Sequence, residues 1–142
     1  MNPKTINEFL QQSMPSAGDM DITCTEVDAN GAVVHWEYGP RWLRPGNYIS
    51  GPLLMTMADT ALYCAVFGNL DRIEPMAVTS ELSTHFLRPA VDSGVTATAT
   101  LIEVTGRRAY GEVRMVLDTN SSSPTRREPT SCLGSRRFPP PD

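Results

Sequence analysis

The chain lacks a cysteine framework: Cys24, Cys64 and Cys132 are odd in number, widely spaced and without a Cys-x-x-Cys pair. That pattern argues against a disulfide scaffold and against a metal site, and it suits a reducing compartment. Positive charge is short as well. A net charge of −4 with no basic helix or stripe argues against a nucleic-acid partner. No basic-then-apolar run opens the chain at MNPKTINEFLQQ, so no secretory leader is expected and a cytoplasmic location is. Long apolar runs are missing too. The longest, Pro52 to Phe67, includes Asp59, Thr56 and Thr60 and falls short of the roughly 20 residues that cross a bilayer. It reads as a core helix, with no membrane partner. No internal repeat is visible.

What remains is an ordinary globular composition. The 142 residues are 40% hydrophobic and 20% charged, enough for one core without disulfide or metal staples. Asn2-Pro3 followed by Thr5-x-x-Glu8 marks a helix start with a capping box, and Ile6, Phe9, Leu10 and Met14 recur at helical spacing up to Pro15. Two alternating stretches, Met20–Val27 and Gly31–Tyr38, are joined by Asp28-Ala29-Asn30-Gly31. The Asn-Gly pair there predicts a tight hairpin with positive φ. A loop rich in Gly, Pro and Arg (Gly39–Ser50) leads to Gly51-Pro52 and a helix over Leu53–Asn69, apolar nearly all round and therefore buried. Strand-like segments follow at Ala77–Leu87, Val95–Val104 and Arg108–Asp118, with a turn at Thr105-Gly106-Arg107. Strands segregated from one central helix predict an α+β fold, an antiparallel sheet wrapped round that helix.

Residues 120–142 break this pattern. They hold five prolines, no apolar alternation and a positive balance, four arginines against Glu128 and Asp142. The reading is therefore a folded domain over 1–119 and a disordered tail over 120–142, with Pro129 standing where a central strand would need an N–H.

Four pieces of the sequence carry a resemblance. They are Ser50-Gly51-Pro52 at the helix entry, Met57-Ala58-Asp59-Thr60-Ala61 within it, Thr79-x-x-Leu82-x-x-x-Phe86-Leu87-Arg88-Pro89, and Gly106-Arg107-Arg108. In this order and spacing, from about Trp36 to Asp118, they resemble the PaaI-type hotdog-fold acyl-CoA thioesterases. The resemblance implies a hotdog fold, hydrolysis of an acyl- or aryl-CoA thioester without a cofactor, and a homodimer or a homotetramer built from dimers. It implies that the Gly51 N–H polarises the thioester carbonyl, that Asp59 is base or nucleophile, and that Thr79 helps hold the attacking water. The chain departs from the pattern at Ser50, where the family has His, and at Pro52, where it has a second Gly. Arg44 stands where an Asn is common, with Asn47 nearby.

The chemistry agrees with those types of residue. A helix N-terminus offers unpaired N–H groups and partial positive charge to an oxyanion, and Asp59 is the one carboxylate in the helix. Eight residues of helix span about 12 Å at about 1.5 Å per residue, so Gly51 and Asp59 of one chain cannot reach one carbonyl. A working site then needs both residues from different subunits of a two-fold dimer. Further candidates for substrate contact are Ser50, which is also a natural N-cap, Met55 and Tyr63, each one turn from Asp59, and Arg88, Arg107 and Arg108, which could meet CoA phosphates. His35, His85 and Cys64 read as structural. The competing function is a non-catalytic acyl-CoA- or lipid-binding hotdog protein.

Overall fold

The computed structural model describes residues 1–118 and 130–140. Its elements are α1 (Pro3–Ser13), α2 (Pro15–Gly18), β1 (Ile22–Val27), β2 (Gly31–Trp36), β3 (Leu43–Arg44), β4 (Tyr48–Ile49), α3 (Gly51–Leu70), β5 (Val78–Phe86), β6 (Val95–Thr105), β7 (Arg108–Leu117) and β8 (Thr130–Arg137). Six strands form one antiparallel sheet in the order β1-β2-β6-β7-β8-β5, while β3 and β4 make a small hairpin ahead of α3. The sheet wraps round α3, the α+β arrangement that the segregation of strands from one apolar helix predicts.

The core follows from period-two alternation meeting a helix without a polar face. Ala32, Val34 and Trp36 of β2, Val95, Ala97 and Ala99 of β6, and Val113 and Met115 of β7 are buried, and so are Leu53, Leu54, Met57, Ala58 and most of Ala61–Gly68 on the helix. At 20 residues α3 is long and apolar enough to cross a membrane by length and composition alone. The expectation that it is too short is thus corrected. Its burial by the strands, not its length, makes it a core helix.

Three local expectations also change. The first helix is capped by Asn2, whose side chain accepts from the Thr5 N–H at 3.0 Å, rather than by Thr5. Proline at the first helical position leaves Asn2 in the extended conformation that a cap requires. The β1–β2 turn has no residue of positive φ. Instead Asp28 Oδ1 accepts from the N–H groups of Asn30 and Gly31, at 2.7 and 3.0 Å. Gly31 is needed for close approach: a Cβ there would lie 2.1 Å from the carbonyl oxygen of Ala99 on β6.

The largest correction concerns the C-terminus. Thr130–Arg137 is not disordered but forms β8, which lies inside the sheet and pairs with β7 on one side and β5 on the other. Among the described residues the ladder runs from Thr130, and Pro129 lies outside them. Cys132, Gly134, Arg136 and, just beyond the strand, Phe138 are the buried positions. Gly134 lets the helix seat closely, since a Cβ there would stand 2.7 Å from Leu62 Cδ1. The rest of that expectation, residues 120–129 and 141–142, lies outside the described residues.

Candidate active site

α3 begins where the sequence places Gly51. Ser50 is the N-cap, its hydroxyl accepting from the Leu53 N–H at 3.4 Å, and proline follows Gly51 within the first turn. The cap occupies Ser50 locally, as its residue type suggests. The Gly51 N–H has no acceptor among the described residues, the usual condition of a first-turn donor. Gly51 lines a groove of about 540 Å³ whose walls include Leu54, Tyr48, Phe86, Arg44 and Arg88. Asn47 lies outside this lining, in the β3–β4 turn, with a left-handed φ of 58°.

Two turns into the helix, Asp59 reaches the boundary between core and surface. Its side chain is 39% exposed although its helix is buried. The Thr79 hydroxyl, from the edge strand β5, donates to Asp59 Oδ1 at 2.5 Å. A residue that sequence reasoning missed completes the cluster: Arg136 of β8 places Nη2 2.7 Å from the same Oδ1. Nη2 also donates to the Asp59 carbonyl oxygen at 2.8 Å, and Nη1 to the Ala77 carbonyl oxygen at 2.9 Å. Asp59 Oδ2 has no protein partner among the described residues.

Arg136 is 6% exposed in its side chain, and its Cζ sits 4.5 Å over the Tyr63 ring. Burial pushes the guanidinium below its ordinary range, and the neighbouring Asp59 carboxylate opposes that fall. Tyr63 is buried with its hydroxyl donating to the Pro75 carbonyl at 3.1 Å, and burial raises its phenol. It therefore supports Arg136 from beneath, whereas Met55, one turn before Asp59, is exposed. Thr79 has its proton committed to Asp59, so toward a water it can only accept.

Arg107, Arg108 and Arg137 surround a second groove of about 470 Å³ with Met76, Val78 and Phe138. None of the three has an acidic partner among the described residues. Arg137 and Val78 directly follow and precede Arg136 and Thr79 and pair with each other, so they project from the opposite face of the β8–β5 pair to the carboxylate cluster. The remaining nucleophile candidates stand apart. The Cys64 thiol is pushed well up by its hydrogen bond with Cys24 and by burial, which suits packing rather than attack. His35 Nε2 lies 2.8 Å from Asp118 Oδ2, and His85 is exposed on β5.

Within one chain the structure thus joins Asp59 to Thr79 and Arg136, and leaves Gly51 about 12 Å away along the helix axis. Gly51 and Arg88 line one groove and Arg107 and Arg108 the other, while Ser50 serves as the helix cap.

The thioesterase superfamily model matches residues 46–123, more than half of the chain and inclusive of Gly51, Asp59 and Thr79. No curated protein matches the sequence. Among solved structures, the Escherichia coli PaaI protein from the phenylacetic acid degradation operon is similar at TM-score 0.79 and 20% identity, over 96% of this chain and 93% of that one. A thioesterase from Haemophilus influenzae is similar at TM-score 0.82 and 15% identity, over 99% and 92%. Zebrafish thioesterase superfamily member 2 is similar at TM-score 0.80 and 12% identity, over 98% and 99%. These likenesses carry the fold, and the matched family carries the kinship: the chain belongs to the thioesterase superfamily and has its hotdog fold.

Proposed function

We propose that the protein hydrolyses an acyl- or aryl-CoA thioester in a site shared between two subunits. The observation that carries this is the Asp59 carboxylate, partly exposed beside an open sheet edge, with Oδ1 held by Thr79 and Arg136 and Oδ2 left over for reaction. Water attacks the thioester carbonyl carbon as Oδ2 takes its proton. The carbonyl oxygen becomes an oxyanion that the Gly51 N–H of the partner subunit can bind. When the C–S bond breaks, the thiolate leaves with the proton from Asp59, and acid and CoA are released.

Pairing through β5 supports the shared site. One side of β5 bonds to β8 and no described strand pairs with the other, where Val78 and Phe86 are exposed, with Met76 and Leu87 exposed at its ends. Such an edge favours strand addition, and a two-fold partner would bring its own helix entry toward Asp59. Arg107, Arg108 and Arg137 at the second groove, without acidic partners among the described residues, suit the phosphates of CoA. The cytoplasm, where CoA esters are met, fits the unpaired thiols.

A second reading, binding without hydrolysis, is favoured by Pro52, which removes one N–H from the helix entry. Losing an oxyanion donor lowers rates by roughly 10²–10³. A panel of acyl- and aryl-CoA esters with colorimetric thiol detection separates the two. Thiol release above the uncatalysed rate is expected, with lower KM for CoA esters than for N-acetylcysteamine thioesters of the same acyl group, which lack the phosphates. Binding of the esters with no thiol released would establish the second reading.

A further inference from the structure

Arg136 occupies a position that the helix motif and the family match leave without a role. It projects inward from β8, the strand next to the edge, where inward residues are otherwise apolar or small, and meets the helix at Asp59. We propose that Arg136 is a positioning residue of the thioesterase site, fixing Asp59 through Oδ1 together with Thr79 so that Oδ2 is the oxygen that receives the proton of the attacking water. This rests on the hydrolytic reading above.

Three features carry it. First, both side-chain contacts fall on one oxygen: Thr79 Oγ1 donates to Oδ1 at 2.5 Å and Arg136 Nη2 lies 2.7 Å from it in an ion pair. Two anchors on one oxygen restrict rotation of the carboxylate and leave the second oxygen free. Second, the guanidinium is itself immobile. It is held to the Asp59 carbonyl on α3 and the Ala77 carbonyl ahead of β5, and lies on the Tyr63 ring. It thereby ties together the three elements whose relative placement sets the Asp59–Thr79 contact. Third, the arrangement is poor as a stability device. A buried ion pair gains little over apolar residues of similar volume, and Arg136 Nε is buried with no partner among the described residues. A methionine would fill that space without a charge to desolvate. The pair is therefore better explained by what it does to Asp59 than by what it adds to the fold.

Arg136 does not donate to substrate in this account, so its loss should act on turnover rather than on affinity. The test compares Arg136→Met, which keeps the volume, with Arg136→Lys and Arg136→Ala, using the best thioester from the panel. Arg136→Met is expected to lower kcat roughly 10–100-fold, the order produced by misplacing a catalytic group by about 1 Å, with KM within about twofold. Arg136→Lys should fall between it and the wild type, since one ammonium replaces a fork that reaches three acceptors. Millimolar guanidinium should restore part of the activity of Arg136→Ala and none of that of Asp59→Asn. Melting temperatures of Asp59→Asn, Arg136→Met and the double variant should be non-additive, a readout that needs no turnover. A folded Arg136→Met with wild-type kcat, a loss confined to KM, or additive melting shifts would each overturn the positioning role while leaving the hydrolytic reading intact. A wild-type protein that releases no thiol would overturn both.

Discussion

Asp59→Asn is expected to lower kcat by roughly 10²–10⁴ while the protein stays folded, because the amide cannot take a proton from water. The amide oxygen can still accept from Thr79, and Arg136 keeps its bond to the main-chain carbonyl at position 59, so the hydrogen bonds of the cluster survive the change. Steady-state turnover on the best CoA ester, alongside a melting curve, measures both halves of this expectation. Turnover within a factor of three of the wild type, in a folded variant, would remove Asp59 from the mechanism. The effect should appear in kcat rather than KM, since the carboxylate acts on water in the transition state.

Deleting residues 119–142 is expected to abolish cooperative unfolding altogether. β8 is the only link between β7 and β5 among the described strands, so its loss detaches β5 and opens two ladders at once. It also removes the buried side chains of Cys132 and Phe138 and the counterion of Asp59. Each fully buried large apolar side chain contributes roughly 1.5–3 kcal/mol, against a total stability of only about 5–15 kcal/mol for a typical domain. Circular dichroism and calorimetry of the truncated chain would show this as a broad, non-cooperative melt or as aggregation through the exposed edges. A sharp transition within a few degrees of the full-length protein would mean that β8 is dispensable.

That second expectation reverses what the tail suggests as a sequence, and the reason is physical. A buried strand is normally read from apolar residues at every second position. In β8 the inward positions are Cys132, Gly134 and Arg136, one small, one without a side chain and one charged. The glycine is small because Leu62 of the helix already fills the space, and the arginine is inward because Asp59 waits there. Neither reason can be seen without the partner element. The flanking prolines hide the strand further. By contrast, α3 is legible because it is apolar nearly all round, and β6 and β7 because much of their length alternates buried and exposed side chains. Asp59 and Thr79 were legible as separate candidates. Their mutual contact was not, nor the third member of the cluster. Arg136 was lost together with its strand, and the signal that could have found it is the alternation Cys132-x-Gly134-x-Arg136-x-Phe138, which ends in an aromatic. The β1–β2 turn shows the same lesson on a small scale. Gly31 looks like a turn glycine, but the backbone of β6 is what forbids a side chain there.

The account makes its strongest demand on assembly, because Asp59 and Gly51 stand too far apart in one chain to act on one carbonyl. Mixing two inactive proteins tests this directly. Asp59→Asn lacks the base, and Gly51→Pro lacks the helix-entry N–H while remaining acceptable at the first helical position. A mixed dimer of the two contains one site with both functional residues and one with neither. After subunit exchange, confirmed by mass or by a tag on one variant, thiol release should return to about a quarter of the wild-type rate, since about half of the dimers are mixed and each has one good site of two. Complete exchange with no recovered activity, or full activity in a monomer, would contradict the shared site.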